Sequence, residues 1–488
     1  MTWTEADRIH LLKRTTFRIT DEELEAAGKL GQAETVRRIV RGEPLTGATS
    51  SLPSAVEAFK QVIKADSKPG AQLQTAKVQW YHRMLHTPVP LVEKLTLFWH
   101  DHFATNAQKI DNAELMVVQS ELFRTYASGD FKELVKRVGR DGAMLIWLDA
   151  NHNRAGKPNE NYARELMELF TLGLGHYSED DVKEAARAFT GWKVNKRTGS
   201  IEFVTKLHDA GTKRVLGVNG PFNDHDVVDI LFRQEALSRF VVRKLLLAFG
   251  SPSPSEAWLD RLAARFRERY DIGDVMIDMF LSDEFNDPAN HLSLVRTPTE
   301  YIVWILGTLG RPADGQVAGQ ARRMGQDLFM PPDVNGWPYG YEWLGSANVL
   351  ARYTYAEAAA ANAVKQRLIP EALASPGQGG AAAWVDSWAR HLRLYPLSET
   401  TRRVLLSYLE PYGFGNGMTS DGRAGGSSQS THEEQVAQSG APSKQKSQKA
   451  AAQAREAEQA QKAAAQSRLL ALKGLIHLLL ISPEAQMK

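Results

Sequence analysis

Apolar residues return every three or four positions in segment after segment, and this period limits the fold more than any other feature of the chain. It runs through 55–65, 71–85, 91–103, 113–128, 131–138, 227–249, 258–285 and 298–309. Thr20 with Glu23 has the spacing of a capping box and opens a further amphipathic segment to about residue 40. Asn159 and Ser178 read as N-caps, and Gly173 and Gly191 stand where helix-ending glycines belong. Helices patterned this way bury one side against each other, so the fold predicted is all-α, one large multi-helix body.

Two stretches leave the pattern. Residues 200–205 alternate polar and apolar, 213–217 are β-prone, and a turn at 207–211 separates them, which predicts at most a small β-hairpin near 200–217. The segment 329–338 is rich in proline, glycine and tryptophan and cannot be regular helix. Its aromatic content predicts an ordered loop.

Composition divides the remainder. From 413 to 467 glycine and serine give way to alanine, glutamine, lysine and glutamate, with few large apolar residues to offset the entropy of ordering. The domains expected are a helical body over 1–412, a disordered insert over 413–467 and a C-terminal helix over 468–488 that docks back. The end of that helix, 474–484, echoes 274–284: each is an apolar helix closed by Ser-x-Glu. Over the whole chain 43% hydrophobic and 24% charged residues describe a globular protein. A net charge of +2 and the lack of a basic–aromatic stripe give no reason to expect nucleic acid. Cysteine is absent, which removes disulfides, thiolate ligands and a cysteine nucleophile. Met1-Thr2-Trp3-Thr4-Glu5-Ala6-Asp7 has no basic region followed by an apolar run, and no segment approaches ~20 uninterrupted apolar residues. The expectation is a cytoplasmic protein without a membrane span. Phosphate-binding glycine loops, a dinucleotide fingerprint, His-Glu-x-x-His and Gly-x-Ser-x-Gly are all missing.

Several strings together carry a resemblance. They are 11–17 (Leu-Leu-Lys-Arg-Thr-Thr-Phe), 93–103 (Glu-Lys-Leu-Thr-Leu-Phe-Trp-His-Asp-His-Phe) and 158–173, centred on Asn159-Glu160-Asn161-Tyr162-Ala163-Arg164-Glu165-Leu166. Ala185 to Trp192, the His208-Asp209-x-Gly211-x-Lys213 turn, Pro331-Pro332-x-Val334-x-Gly336-Trp337 and Ser482-Pro483-Glu484 complete the set. In this order the chain resembles a bacterial family catalogued only as domain of unknown function eighteen hundred, apart from the low-complexity insert. Arg18 stands where that family usually has glycine. Many family members look exported, and this chain does not. The resemblance implies no established activity.

Candidate site residues come from four places. On a helix over 160–172, Glu160, Asn161, Arg164, Glu165 and Glu168 share one arc opposite Tyr162, Leu166, Met167 and Phe170. This is either a solvated face of Glu160–Arg164–Glu168 pairs, or a buried polar face on which Glu165 and Glu168, with Arg164, do acid–base or metal chemistry. On 91–103, His102 lies on the apolar stripe, while His100 projects about 160° away, so one regular helix cannot aim both at one ion. His208 adds a third imidazole at a turn, and Asp209 beside it either shapes that turn or faces a ligand. Trp337 and Trp343 form either a ligand-facing wall or interhelical packing. Two functions follow. One is a metal-dependent hydrolase or oxidoreductase, with ligands to zinc, iron or manganese drawn from His102, His100 or His208 and Glu160, and Glu165, Glu168 and Arg164 as catalytic groups. The other is a non-catalytic helical scaffold that binds a partner protein.

Overall fold

Ten of the 13 residues of the helix Pro90–His102 are buried, polar ones included. The helices Glu5–Thr15, Gln32–Val40 and Ala113–Thr125 pack around it. A helix so largely buried must pair its polar groups with protein, and that requirement builds the site described below. The computed structural model describes residues 3–47, 52–63, 68–376, 379–414 and 444–488. Two compact units make it up, Met1–Arg352 with Gln486–Lys488, and Tyr353–Ala485.

The first unit is mainly helical, around a core that includes Trp99, Phe103, Phe131, Leu166, Phe170, Val241 and Met276. Capping follows the sequence at Thr20 and Ser178, whereas beside Asn159 the N-cap is Glu160, and the Asn159 side chain accepts the Asn161 N–H (3.0 Å). Thr20 and Glu23 form the capping box before Asp21–Leu30, and Ser178 with Asp181 forms another before Glu179–Ala188. Sheet is confined, among the described residues, to two antiparallel hairpins. Trp192–Val194 pairs with Ile201–Phe203, and Lys213–Val215 pairs with Val218–Gly220. The arms expected to face each other across 207–211 therefore each pair with a neighbour instead. The cause is local. Leu216 (φ 48°) and Gly217 (φ 81°) make a two-residue turn of the kind that closes a tight hairpin. Meanwhile Asp209 accepts from the Gly211 N–H (2.9 Å), and buried Lys213 donates to the Asp209 and Gly211 carbonyls (2.5 and 2.9 Å). These bonds hold 209–213 as a closed turn.

The second unit contains the helices Gly380–His391, Glu399–Leu409 and Lys444–Ile481. Sequence boundaries at 412 and 467 differ from the division at Arg352. Residues 415–443 of the expected insert lie outside the described residues. Residues 444–467 belong to the same helix as the apolar 469–481. That helix changes character along its length: Glu456, Glu458 and Lys462 are exposed, while Ala471, Leu472, Leu475, Ile476, Leu479 and Leu480 make a buried stripe. By length and composition Ala451–Ile481 could cross a membrane, against the expectation from apolar runs, and 33% of its most apolar stretch is buried. The echo noticed in the sequence is a shared helix ending. Ser282 ends Ile272–Leu281 and caps Asp283–Asn286, and Ser482 accepts from the Ala485 N–H just after Ile481.

Candidate functional site

The charged and imidazole side chains of Pro90–His102 each hold a different part of the first unit. Glu93 accepts from Arg124 (2.6 and 2.9 Å) and from the Trp80 indole (3.0 Å). Lys94 donates to Glu300 (2.9 Å) and to the carbonyls of Lys13 and Thr16 (both 3.2 Å). His100 Nε2 accepts the Phe329 N–H at 3.0 Å. Asp101 Oδ1 accepts the Trp337 N–H at 2.6 Å, and its carboxyl also bonds the Tyr339 hydroxyl. His102 Nε2 meets the Phe170 carbonyl at 3.1 Å. A carbonyl can only accept, so Nε2 carries the proton and Nδ1 accepts from Lys244 Nζ at 3.3 Å.

The loop after Phe329 depends on this helix. Gly336 has φ +87°, and a Cβ there would lie 2.2 Å from Asp101 Oδ1. Only glycine lets the backbone come this close, which explains the residue before Trp337. The Asn106 side chain adds a bond to the Pro331 carbonyl (2.7 Å). Trp337 and Trp343 are consequently buried, while the ring of Tyr339 remains 40% exposed with its hydroxyl turned to Asp101.

Between the loop, Pro90–His102 and the start of Pro298–Thr308 lies a cleft with a cavity volume of about 90 Å³. Phe98, Phe249, Leu294 and Trp343 form apolar walls; Asp101 and Tyr339 provide polar groups, as do Gln326, Glu300, Lys94 and Lys488. Burial pushes the Asp101 carboxyl up to about 6, against the opposing pull of the Trp337 N–H, the Tyr339 hydroxyl and Lys244. Burial brings Lys244 down to about 8, with Asp101 holding it up, and brings Lys94 down to about 7. Burial likewise raises Tyr339, and Asp101 adds to the effect. Glu300 behaves in the opposite way: burial favours its neutral form, but Lys488 and Lys94 outweigh burial and keep it below the usual carboxylate range. A cleft-wall carboxyl pushed up to about 6, with the charge of Lys244 acting on it, is a group that changes charge near neutrality.

The residues expected from sequence are distributed differently. Arg164 pairs with Glu160 (3.1 Å) and Glu179 (2.7 Å), but Glu168 accepts from Tyr177 (2.9 Å) instead. The helix widens to a π-helix over Leu166–Thr171, and the larger turn takes Glu168 out of line with Arg164. Glu165 is half-buried, and both burial and Glu168 raise its carboxyl. The carbonyls left open at the π-helix end are met by Lys244, at Leu169 (3.3 Å), and by His102, at Phe170. His100 and His102 thus use ring nitrogens on backbone and on lysine. His208 Nδ1 faces Thr190 (3.0 Å to its carbonyl), and Asp209 is held by Arg187 (2.8 Å) and the Gly211 N–H. The three imidazoles are not brought together with Glu160, Glu165 or Glu168. Among the described residues, no group of three or more His, Asp or Glu is arranged to hold a metal ion. Of the expected wall, Trp337 and Trp343 line the cleft and Asp209 lies elsewhere. The sequence reading missed Asp101, Lys244, Gln326 and Glu300. Its only signal for Asp101 was a helix with too many polar residues for its apolar content.

Fold and cleft together define a mainly helical protein whose first unit carries a titratable cleft. The family model described as "Protein of unknown function (DUF1800)" matches residues 10–487, and the chain belongs to that family. No curated protein and no solved structure matches it.

Proposed function

We propose that the protein is an enzyme acting on a small organic molecule by proton transfer, with Asp101 and Tyr339 as the reacting acid–base groups. The observation that carries this reading is the Asp101 carboxyl. It is pushed up to about 6 and hydrogen-bonded to Tyr339 on the wall of an open cleft. Lys244 does not line the cleft. It acts through Asp101 as a positioning residue, and its charge favours the ionised carboxylate. A metal-dependent hydrolase or oxidoreductase centred on His102, Glu165 and Glu168 draws no support from this arrangement, because the imidazole nitrogens of His102 already have protein partners.

A panel of generic ester, amide, phosphoester and isomerisation substrates provides the test. The parent should turn over at least one class; Asp101→Asn and Tyr339→Phe, both verified as folded, should lose roughly 100-fold or more. Lys244→Met should move the acidic limb of the pH profile upward, since removing the cation makes Asp101 harder to ionise. An activity that survives both Asp101→Asn and Tyr339→Phe, or a parent inactive on every class, would sink the proposal.

A second reading, binding of a partner protein, is favoured by a groove of about 510 Å³ beside the helix Ala113–Thr125. Leu115, Val118, Leu122 and Ile201 line it with Glu133 and Arg137. A photo-reactive residue at Val118 should give one discrete adduct in cells that Ile201→Glu abolishes; a diffuse set of adducts would count against this reading.

A further inference from the structure

The inner end of the cleft has hydrogen-bond donors left over. Gln326 is 3% exposed, and its Oε1 accepts the Thr299 N–H at 3.0 Å, which fixes how the amide is turned. Its amino group has no partner among the described residues, and the side chain lines the cleft. Buried amides rarely leave both hydrogens unused unless something else receives them. Lys94 and Lys488 differ in the same respect. All three protons of Lys94 are taken, by Glu300 and by two carbonyls. Lys488 gives one to Glu300 at 2.5 Å, and no second acceptor for it is present among the described residues.

Charge identifies what is missing. Lys94, Lys488 and Arg296 are buried around this end, with Glu300 as the one side-chain carboxylate acting on all three. Arg14, also buried, spends its protons on the main-chain oxygens of Lys488 and Asn290 and on Ser293. A buried surplus of cations is relieved by an anion. The cavity is well below the ~300–1,000 Å³ of sites for drug-sized ligands, so the anion is small. Two spare donor groups match the two oxygens of a carboxylate. A phosphate dianion would bring more oxygens than the site can satisfy, against walls of Phe98, Leu294, Val295 and Trp343 that suit a hydrocarbon tail.

We propose that the cleft binds a small monocarboxylate with a short apolar tail, its carboxylate received by Gln326 and Lys488 and its tail lying toward Trp343 and Asp101. This rests on the same cleft as the proton-transfer reading and names its class of substrate. Lys488 then bridges Glu300 and the ligand, and Asp101 and Tyr339 face the tail.

Calorimetry and thermal shift on the full-length protein test it, with acetate, butyrate and benzoate as probes and with benzamide and inorganic phosphate at matched ionic strength. At least one carboxylate should bind with one-site stoichiometry and raise Tm, while benzamide and phosphate do neither. Gln326→Leu and Lys488→Met should each weaken binding about tenfold or more. Gln326→Glu, which keeps the shape and adds a repelling charge, should abolish it and serves if the leucine variant fails to fold. Carboxylate binding by a parent that turns over no substrate class would uphold this proposal and sink the proton-transfer reading, so the two failures are separable. No binding by any carboxylate, equal binding of benzamide or phosphate, or binding untouched in Gln326→Glu and Lys488→Met would overturn the proposal.

Discussion

Asp101 carries two duties whose electrostatic demands conflict. As an acceptor for the Trp337 N–H it fastens the 329–345 loop to the Pro90–His102 helix, and as a buried carboxyl it resists ionising. The folded carboxyl titrates near 6, against 3.8 for the free group. Because the folded value is raised, this contribution is fully present below about pH 4 and is lost as the pH climbs through 6. The loss amounts to on the order of 3 kcal/mol. Urea unfolding of the parent and of Asp101→Asn at pH 4 and pH 7 should show the parent losing that much more than the variant. Equal pH dependence in the two proteins would mean that the carboxyl ionises freely. His102 shows the same economy: one nitrogen closes a helix end and the other receives Lys244, which leaves no lone pair for a metal.

At the scale of elements, helices are placed well by sequence wherever one side is clearly apolar. The capping box at Thr20 and the N-cap at Ser178 are where the sequence places them. Periodicity fails in two instructive cases. Pro90–His102 has a stripe in sequence but is mostly buried, since Trp80, Arg124, Glu300 and the backbone of Phe329 and Trp337 meet what the pattern leaves polar. The 160–172 segment keeps its pattern, but a π-turn shifts the phase after Glu165, so the expected Arg164–Glu168 pair does not form. Lys444–Ile481 tests the opposite situation, one helix with a solvated half and a packed half. Leu475→Ala should cost about 2–5 kcal/mol in thermal or urea unfolding. Ala457→Pro, in the exposed half, should change stability by less than about 1 kcal/mol while lowering helical circular dichroism. A large destabilisation by Ala457→Pro would show that the exposed half is covered in the folded protein.

For the whole molecule, the division at Arg352 and the cleft belong to a level that no single segment announces. The cleft gathers residues from the Pro90–His102 helix, from 247–249, from 294–300, from the 326–343 stretch and from Lys488. Because no cluster of three ligands forms among the described residues, treatment with a strong chelator should leave Tm unchanged within about 1 °C. A fall of several degrees, reversed by zinc, iron or manganese, would restore the metal reading. The helical class, the family and the caps at Thr20 and Ser178 are legible in the sequence, because they follow from local period, short-range hydrogen bonds and residue type. Tertiary structure alone decided which polar residues meet. A buried group's role is set by the partner that satisfies it, and for Asp101, Lys244, Gln326 and Lys488 those partners lie far away along the chain.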